Sequence, residues 1–174
     1  MIYEIAGYDR SRTDRVKSRE GERLIWHSTN MINLCVDTFE EGRQCGRLYH
    51  MYTKEPVSFS SLFQALGRMD ELYDELQFPQ AATKLRSFLT VRGEVRGAGD
   101  QRKEMKEMEE FGKVIEHRGK RATFLIRVQY RQHSSWQGEV VWVDQQKKEY
   151  FRSALELVRL LDSALREEEK QDAE

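Results

Sequence analysis

Cysteine is nearly absent from this chain, and its shortage is informative. Two cysteines, Cys35 and Cys45, stand in 174 residues. They form no C-x2-C pair of the kind that opens a zinc site, and no disulfide framework. With no signal-peptide pattern either, the expected compartment is the reducing cytoplasm. Proline is as scarce: Pro56 breaks the chain once, and Pro79 ends a helical stretch. No apolar run approaches the roughly 18–20 residues that a membrane-crossing helix needs. An excess of one charge is missing too. The formal net charge is −1, so attraction to nucleic acid would need a local patch.

Recognisable catalytic and cofactor signatures are also missing. There is no P-loop, no dinucleotide-type glycine fingerprint after a strand, no H-E-x-x-H and no G-x-S-x-G. His27, His50, His117 and His133 lack mutual metal spacing. Cys45 with His50 supplies only two ligands across one strand, too few for a zinc site. His133 beside Ser134 and Ser135 is a poor dyad, because a base must meet its hydroxyl in space rather than in sequence. The expectation is a protein without cofactor or metal that performs no catalysis.

What is present is aromatic, charged and repeated. Eight Phe, seven Tyr and three Trp argue for a packed chain, since disordered chains are poor in aromatics. At 39% hydrophobic and 34% charged, the composition is that of a polar, soluble protein of one domain or two small fused halves. Gly46 and Gly138, Phe59 and Phe151, Ser61 and Ser153, and Asp70 and Asp162 are each 92 residues apart. A fixed offset without gaps points to one supersecondary unit used twice.

In chain order, Ile2–Ile5 reads as a short strand. The charged stretch from Tyr8 to Arg23 follows, with Arg10, Arg12, Arg15, Lys17 and Arg19 among Asp9, Asp14, Glu20 and Glu22. It is either a solvated arm or, through those five basic residues, a phosphate-contacting arm. Leu24–Trp26 is a further short strand. Ile32, Leu34 and Val36 alternate with Asn33, Cys35 and Asp37, the period of a half-buried strand. Cys35 then lies on the polar face or against a second layer. Gly46 to Tyr52 is the next strand, with the glycine permitting close backbone approach. Ser61 and Gln64 form a capping box before a helix with Leu62, Phe63, Leu66, Met69, Tyr73 and Leu76 on its apolar stripe.

The second unit follows the same plan. Phe124, Ile126, Val128 and Tyr130 alternate. A polar hairpin tip leads to Gly138–Val143, and Ser153 with Glu156 caps a helix bearing Ala154, Leu157, Val158, Leu161 and Leu165. Between the units, Ala81–Leu89 and Gln101–Phe111 read as helical, joined by a glycine-rich connection. The tail from Arg166 is charged and should fray.

The expected fold is α+β: tandem strand-strand-helix repeats forming antiparallel sheet with the helices packed on one face. Residues 1–79 form the first unit, 80–121 a helical and charged connector, and 122–174 the second unit. Trp142 shares the alternation of Val140 and belongs to the core. Trp136 sits beside a polar turn, where a large aromatic is hard to bury. Together with Arg127, Arg131 and His133 it forms the expected partner-binding set, since interfaces favour Trp, Tyr and Arg anchors. The same groups could stack on unpaired bases, and Trp136 could equally fold back over its own hairpin.

Two resemblances bear on function. Arg15-x-x-x-Arg19 and Asp37-x-x-x-x-Gly42 resemble the skeleton of the cyclic-dinucleotide-binding PilZ domain, in which arginines clasp phosphates. Phe39 stands where that motif has serine, and repeated helices do not suit a single β-barrel. The run Ser135-Trp136-Gln-Gly138, Phe151-Arg-Ser153, Leu155-Glu-Leu and Leu161-Asp-Ser-Ala-Leu165, with Phe78-Pro79-Gln80, resembles a group of small uncharacterised proteins of gut bacteria, some carried on phages and plasmids. The set also resembles anti-CRISPR inhibitors of type II RNA-guided nucleases. That resemblance implies a protein partner, such as an RNA-guided nuclease, and no catalytic residue. The alternative is a DNA-binding regulator that uses the arginine-rich arm.

Overall fold

The structure is a computed structural model that describes residues 28, 30–40, 43–82, 111–133 and 135–171. The expected strands at Ile2–Ile5 and Leu24–Trp26, the basic arm and most of the 80–121 connector lie outside the described residues. The described elements are β1 (Met31–Glu40), β2 (Arg43–Tyr49), β3 (Val57–Phe59), α1 (Leu62–Leu76), a helix α2 of which residues 111–116 are described, β4 (Ala122–Tyr130), β5 (Gln137–Trp142), β6 (Lys147–Phe151) and α3 (Ala154–Gln171). The strands form one sheet in the order β3-β2-β1-β4-β5-β6, antiparallel at every step. The protein is α+β, as expected. Each half adds a strand that the sequence reading omitted, β3 before α1 and β6 before α3.

Contacts recur at the 92-residue offset. In the central β1–β4 ladder Asn33 faces Leu125, and the remaining pairs run outward from them, from Met31–Arg127 to Val36–Ala122. Gly46 faces Phe59, and Gly138 faces Phe151. A Cβ on Gly46 would lie 2.0 Å from the Cys35 carbonyl oxygen and 2.7 Å from the Phe59 ring; on Gly138 it would lie 2.1 Å from the Arg127 oxygen and 2.9 Å from the Phe151 ring. Only a residue without a side chain lets each phenyl ring lie across its neighbouring strand.

Both long helices start the same way. The Gln64 N–H donates to Ser61 Oγ at 3.1 Å, and the Glu156 N–H donates to Ser153 Oγ at 3.0 Å. Each partner side chain reaches one residue further back than in the usual box. Gln64 Oε1 accepts from the Ser60 N–H, and Glu156 Oε2 from the Arg152 N–H, both at 2.7 Å. Open N–H groups at the helix starts are thereby satisfied. Helix α1 ends with Gln77 in the left-handed conformation at φ 50°, just ahead of Pro79.

The main core lies between these helices and one sheet face. Ile32, Leu34, Val36, Phe124, Ile126 and Val128 meet Leu62, Met69 and Tyr73 of α1 and Leu157, Leu161 and Leu165 of α3. Trp142 belongs to this core, as its alternation predicts. Phe63 does not, and is exposed despite its place in the expected apolar stripe.

Alternation fails at one matched place in each half. The register shifts between Val36 and Thr38 in β1, and between Val128 and Tyr130 in β4. A bulge adds one residue and reverses which side chains face inward. Thr38 and Tyr130 consequently face solvent, while Phe39 and Arg131 turn into the buried layer.

The opposite sheet face is covered as well, which corrects the expectation that all helices pack on one face. Phe111 of α2 joins Met31, Leu125 and Val141, while Val114 joins Cys35 and Tyr49. Asn33 Nδ2 donates to the Val114 and His117 carbonyls at 2.7 and 3.0 Å, tying the end of α2 to the sheet centre. Cys35 is thus placed against a second layer.

Candidate interaction surface

Three of the four expected partner-binding residues are inside the protein. Arg131 is 4% exposed, Trp136 8% and Arg127 9%. The bulge in β4 aims Arg131 at the C-terminal half of α1, where Asp70 and Asp74 stand four residues apart on one face. Arg131 Nη2 donates to Asp70 Oδ1 at 2.7 Å and to Asp74 Oδ1 at 2.6 Å. The guanidinium also lies 5.9 Å from the Tyr73 ring centroid. Trp136 meets the same ring edge-on, with centroids 5.6 Å apart and planes at 75°.

Backbone contacts close the arrangement: Ala81 bridges Arg131, and the Ala82 N–H donates to the Arg131 carbonyl at 3.0 Å. Arg131 and Trp136 therefore clasp the first helix to the second hairpin rather than present an exposed anchor. Burial raises the Asp70 carboxyl above its usual range, against the opposing pull of Arg131. Tyr73, wholly buried, is pushed strongly upward for the same reason.

Arg127 lies on the other face, opposite Glu139 in the β4–β5 ladder. Its Nε is 2.8 Å from Glu139 Oε1. The two atoms are not aligned as donor and acceptor, so the contact is an ion pair. Lys148 from β6 adds a second cation on the other Glu139 oxygen. Of the expected set only His133 is exposed, in a turn at φ 55° where the Ser135 N–H donates to the Gln132 carbonyl. Arg10, Arg12, Arg15, Lys17 and Arg19 lie outside the described residues.

Asp37, the described end of the PilZ-like pattern, is committed within the sheet. Arg47 Nε and Nη2 each donate to it at 2.8 Å, a two-point grip that carries the strength of charge-assisted bonds. It holds the Asp37 carboxyl below the usual carboxylate range. Arg47 also donates to the Tyr49 hydroxyl at 2.8 Å, and Tyr49 stacks on His117 with centroids 3.7 Å apart. The open six-stranded sheet differs from the single barrel of that resemblance.

No family model, curated protein or solved structure matches the chain.

Among the described residues no group of three or more His, Cys, Asp or Glu could hold a metal, and no helix is long and apolar enough to cross a membrane. The outer surface instead carries Phe63, Leu155, Tyr150, Phe78, Tyr130 and Tyr52 as exposed large hydrophobic residues. Phe63 is 87% exposed and Leu155 61%. They are 92 residues apart, each two positions after the serine that caps its helix. The 92-residue offset pairs these two positions in the sequence, but amphipathic spacing had assigned Phe63 to the core.

Proposed function

We propose that the chain is a tandem duplicate of a three-strand-and-helix unit that serves as a binding scaffold for a macromolecular partner. The duplication is supported by the common offset of the two glycine–phenylalanine pairs, the two bulges and the two capped helices. Binding is supported above all by the matched exposure of Phe63 and Leu155. Scattered apolar residues on a surface are ordinary, but a large apolar side chain at the same helix position in both halves is a paired feature. Desolvating such groups is how interfaces gain most of their energy. The partner is a protein or a protein–nucleic-acid complex, and an RNA-guided nuclease is the candidate that the anti-CRISPR resemblance implies.

The test is affinity capture from a bacterial host lysate, with and without nuclease treatment. Wild type is compared with Phe63→Ala, Leu155→Ala and the double variant. Both side chains are exposed, so the variants should unfold at nearly the wild-type denaturant midpoint. Capture should weaken in each single variant and disappear in the double one. Undiminished capture by a folded double variant overturns this surface. Capture that vanishes on nuclease treatment assigns the interaction to nucleic acid, as expected of the Arg10–Arg19 arm.

A further inference from the structure

A cavity of about 190 Å³ opens between α3 and the β5–β6 edge of the sheet. That volume far exceeds the ~30 Å³ share of one water in the liquid. Phe124, Val140, Trp142 and Leu161 form its apolar lining, while Lys147, Glu149 and Glu167 supply charges. Two smaller residues of α3, Ser163 and Ala164, also line it. The residues 92 positions earlier are Glu71 and Leu72, so the space goes with side chains that differ between the halves.

Lys147 indicates what the opening recognises. Its Nζ lies 3.1 Å from Glu167 Oε1 and 5.3 Å from the Trp142 ring centroid. One ammonium is thus held at once by a carboxylate and an indole ring, a combination of ion pairing and cation–π attraction. The Lys147 and Glu167 side chains are each about half exposed, so the lysine can swing into water with little loss of packing. With Lys147 displaced, the carboxylate groups of Glu149 and Glu167 remain at the opening to receive another cation.

We propose that this cavity is a binding site for a small primary arylalkylamine. Its ammonium takes the place of the Lys147 Nζ between Glu167 and Trp142, and its ring fills the apolar interior. Lys147 is then a tethered competitor that weakens the site, because a group on a short tether acts at high effective concentration.

The experiment titrates the full chain with 2-phenylethylamine and follows the Trp142 indole N–H by two-dimensional NMR. The uncharged near-isostere 2-phenylethanol is titrated in parallel. Saturable shifts are expected for the amine and at least tenfold weaker binding for the alcohol. Lys147→Met keeps the apolar stem and removes the competitor, so it should bind the amine about tenfold more tightly. Adding Glu167→Gln to that variant should cancel the gain. The indole spectrum reports folding in every variant, which separates lost binding from lost structure. Equal binding of amine and alcohol, no tightening in Lys147→Met, or no saturable shift overturns the proposal.

Discussion

Cys35 and Cys45 are chemically unequal because one is sealed under α2 and the other is partly exposed. Burial pushes the Cys35 thiol up to about 11, and thiolate is the reactive form. A disulfide-exchange reagent at neutral pH should therefore titrate one thiol promptly and the second only after denaturation. Two prompt thiols would contradict this packing. Arg131 invites a stability measurement. Arg131→Met leaves the Asp70 carboxylate without its close cation and should cost about 3 kcal/mol in urea unfolding. Adding Asp70→Asn should recover part of that loss, whereas an unchanged midpoint would dismiss the clasp. The acidic partners have opposite pH signatures. Asp37 is held below its ordinary value, so its contribution is present above the unfolded-state value near 4 and fades as pH falls through the lower folded one. Asp70 is raised, so its contribution is fullest below that unfolded value and fades as pH rises through the folded one. Unfolding curves between pH 3 and 7 should show Asp37→Asn flattening the acid-side loss and Asp70→Asn steepening it. None of these environments is written in local sequence. Arg131 reads as a surface residue until the bulge between Val128 and Tyr130 turns it inward.

The elements were legible where hydrophobic period and capping chemistry agreed. Helix starts at Ser61 and Ser153 follow from a hydroxyl placed before an apolar stripe. Replacing either serine with alanine should cost about 1 kcal/mol, measured by chemical denaturation of each variant. Two nearly neutral results would remove the matched caps from the account. Gly46→Ala and Gly138→Ala are predicted to be far worse, at ~3 kcal/mol or more, because the added carbon meets a backbone oxygen that cannot yield without breaking the ladder. Strands β3 and β6 were missed because β3 is only the three residues Val57–Phe59, too short to show a period, and β6 opens on Lys147, Lys148 and Glu149. Their strand conformation comes from pairing with β2 and β5. The alternation ending in Tyr130 failed for a related reason, since a bulge is decided by the ladder beside it.

At the scale of the whole molecule, one core spans both halves, and neither half encloses it alone. The β1–β4 ladder is centred on Asn33 and Leu125, equivalent positions of the proposed duplicate. A second β4 can therefore take the place of β1 in the same antiparallel register, with Leu125 facing its own copy. A fragment of residues 111–171 should form a twofold dimer at high concentration and unfold on dilution, as light scattering and circular dichroism can follow. A stable folded monomer of that fragment would argue against the shared core.

The amino-acid sequence alone determined the α+β class, the 92-residue periodicity, the capped helices and the aliphatic faces of the central strands. Those properties reside in local periodicity and in short-range hydrogen bonding. Tertiary structure alone decided that α2 covers the second face, that Arg131 and Trp136 close the core, and that Phe63 remains outside. These outcomes depend on bulges and on contacts between residues far apart in the chain, where the partner rather than the residue sets what is buried.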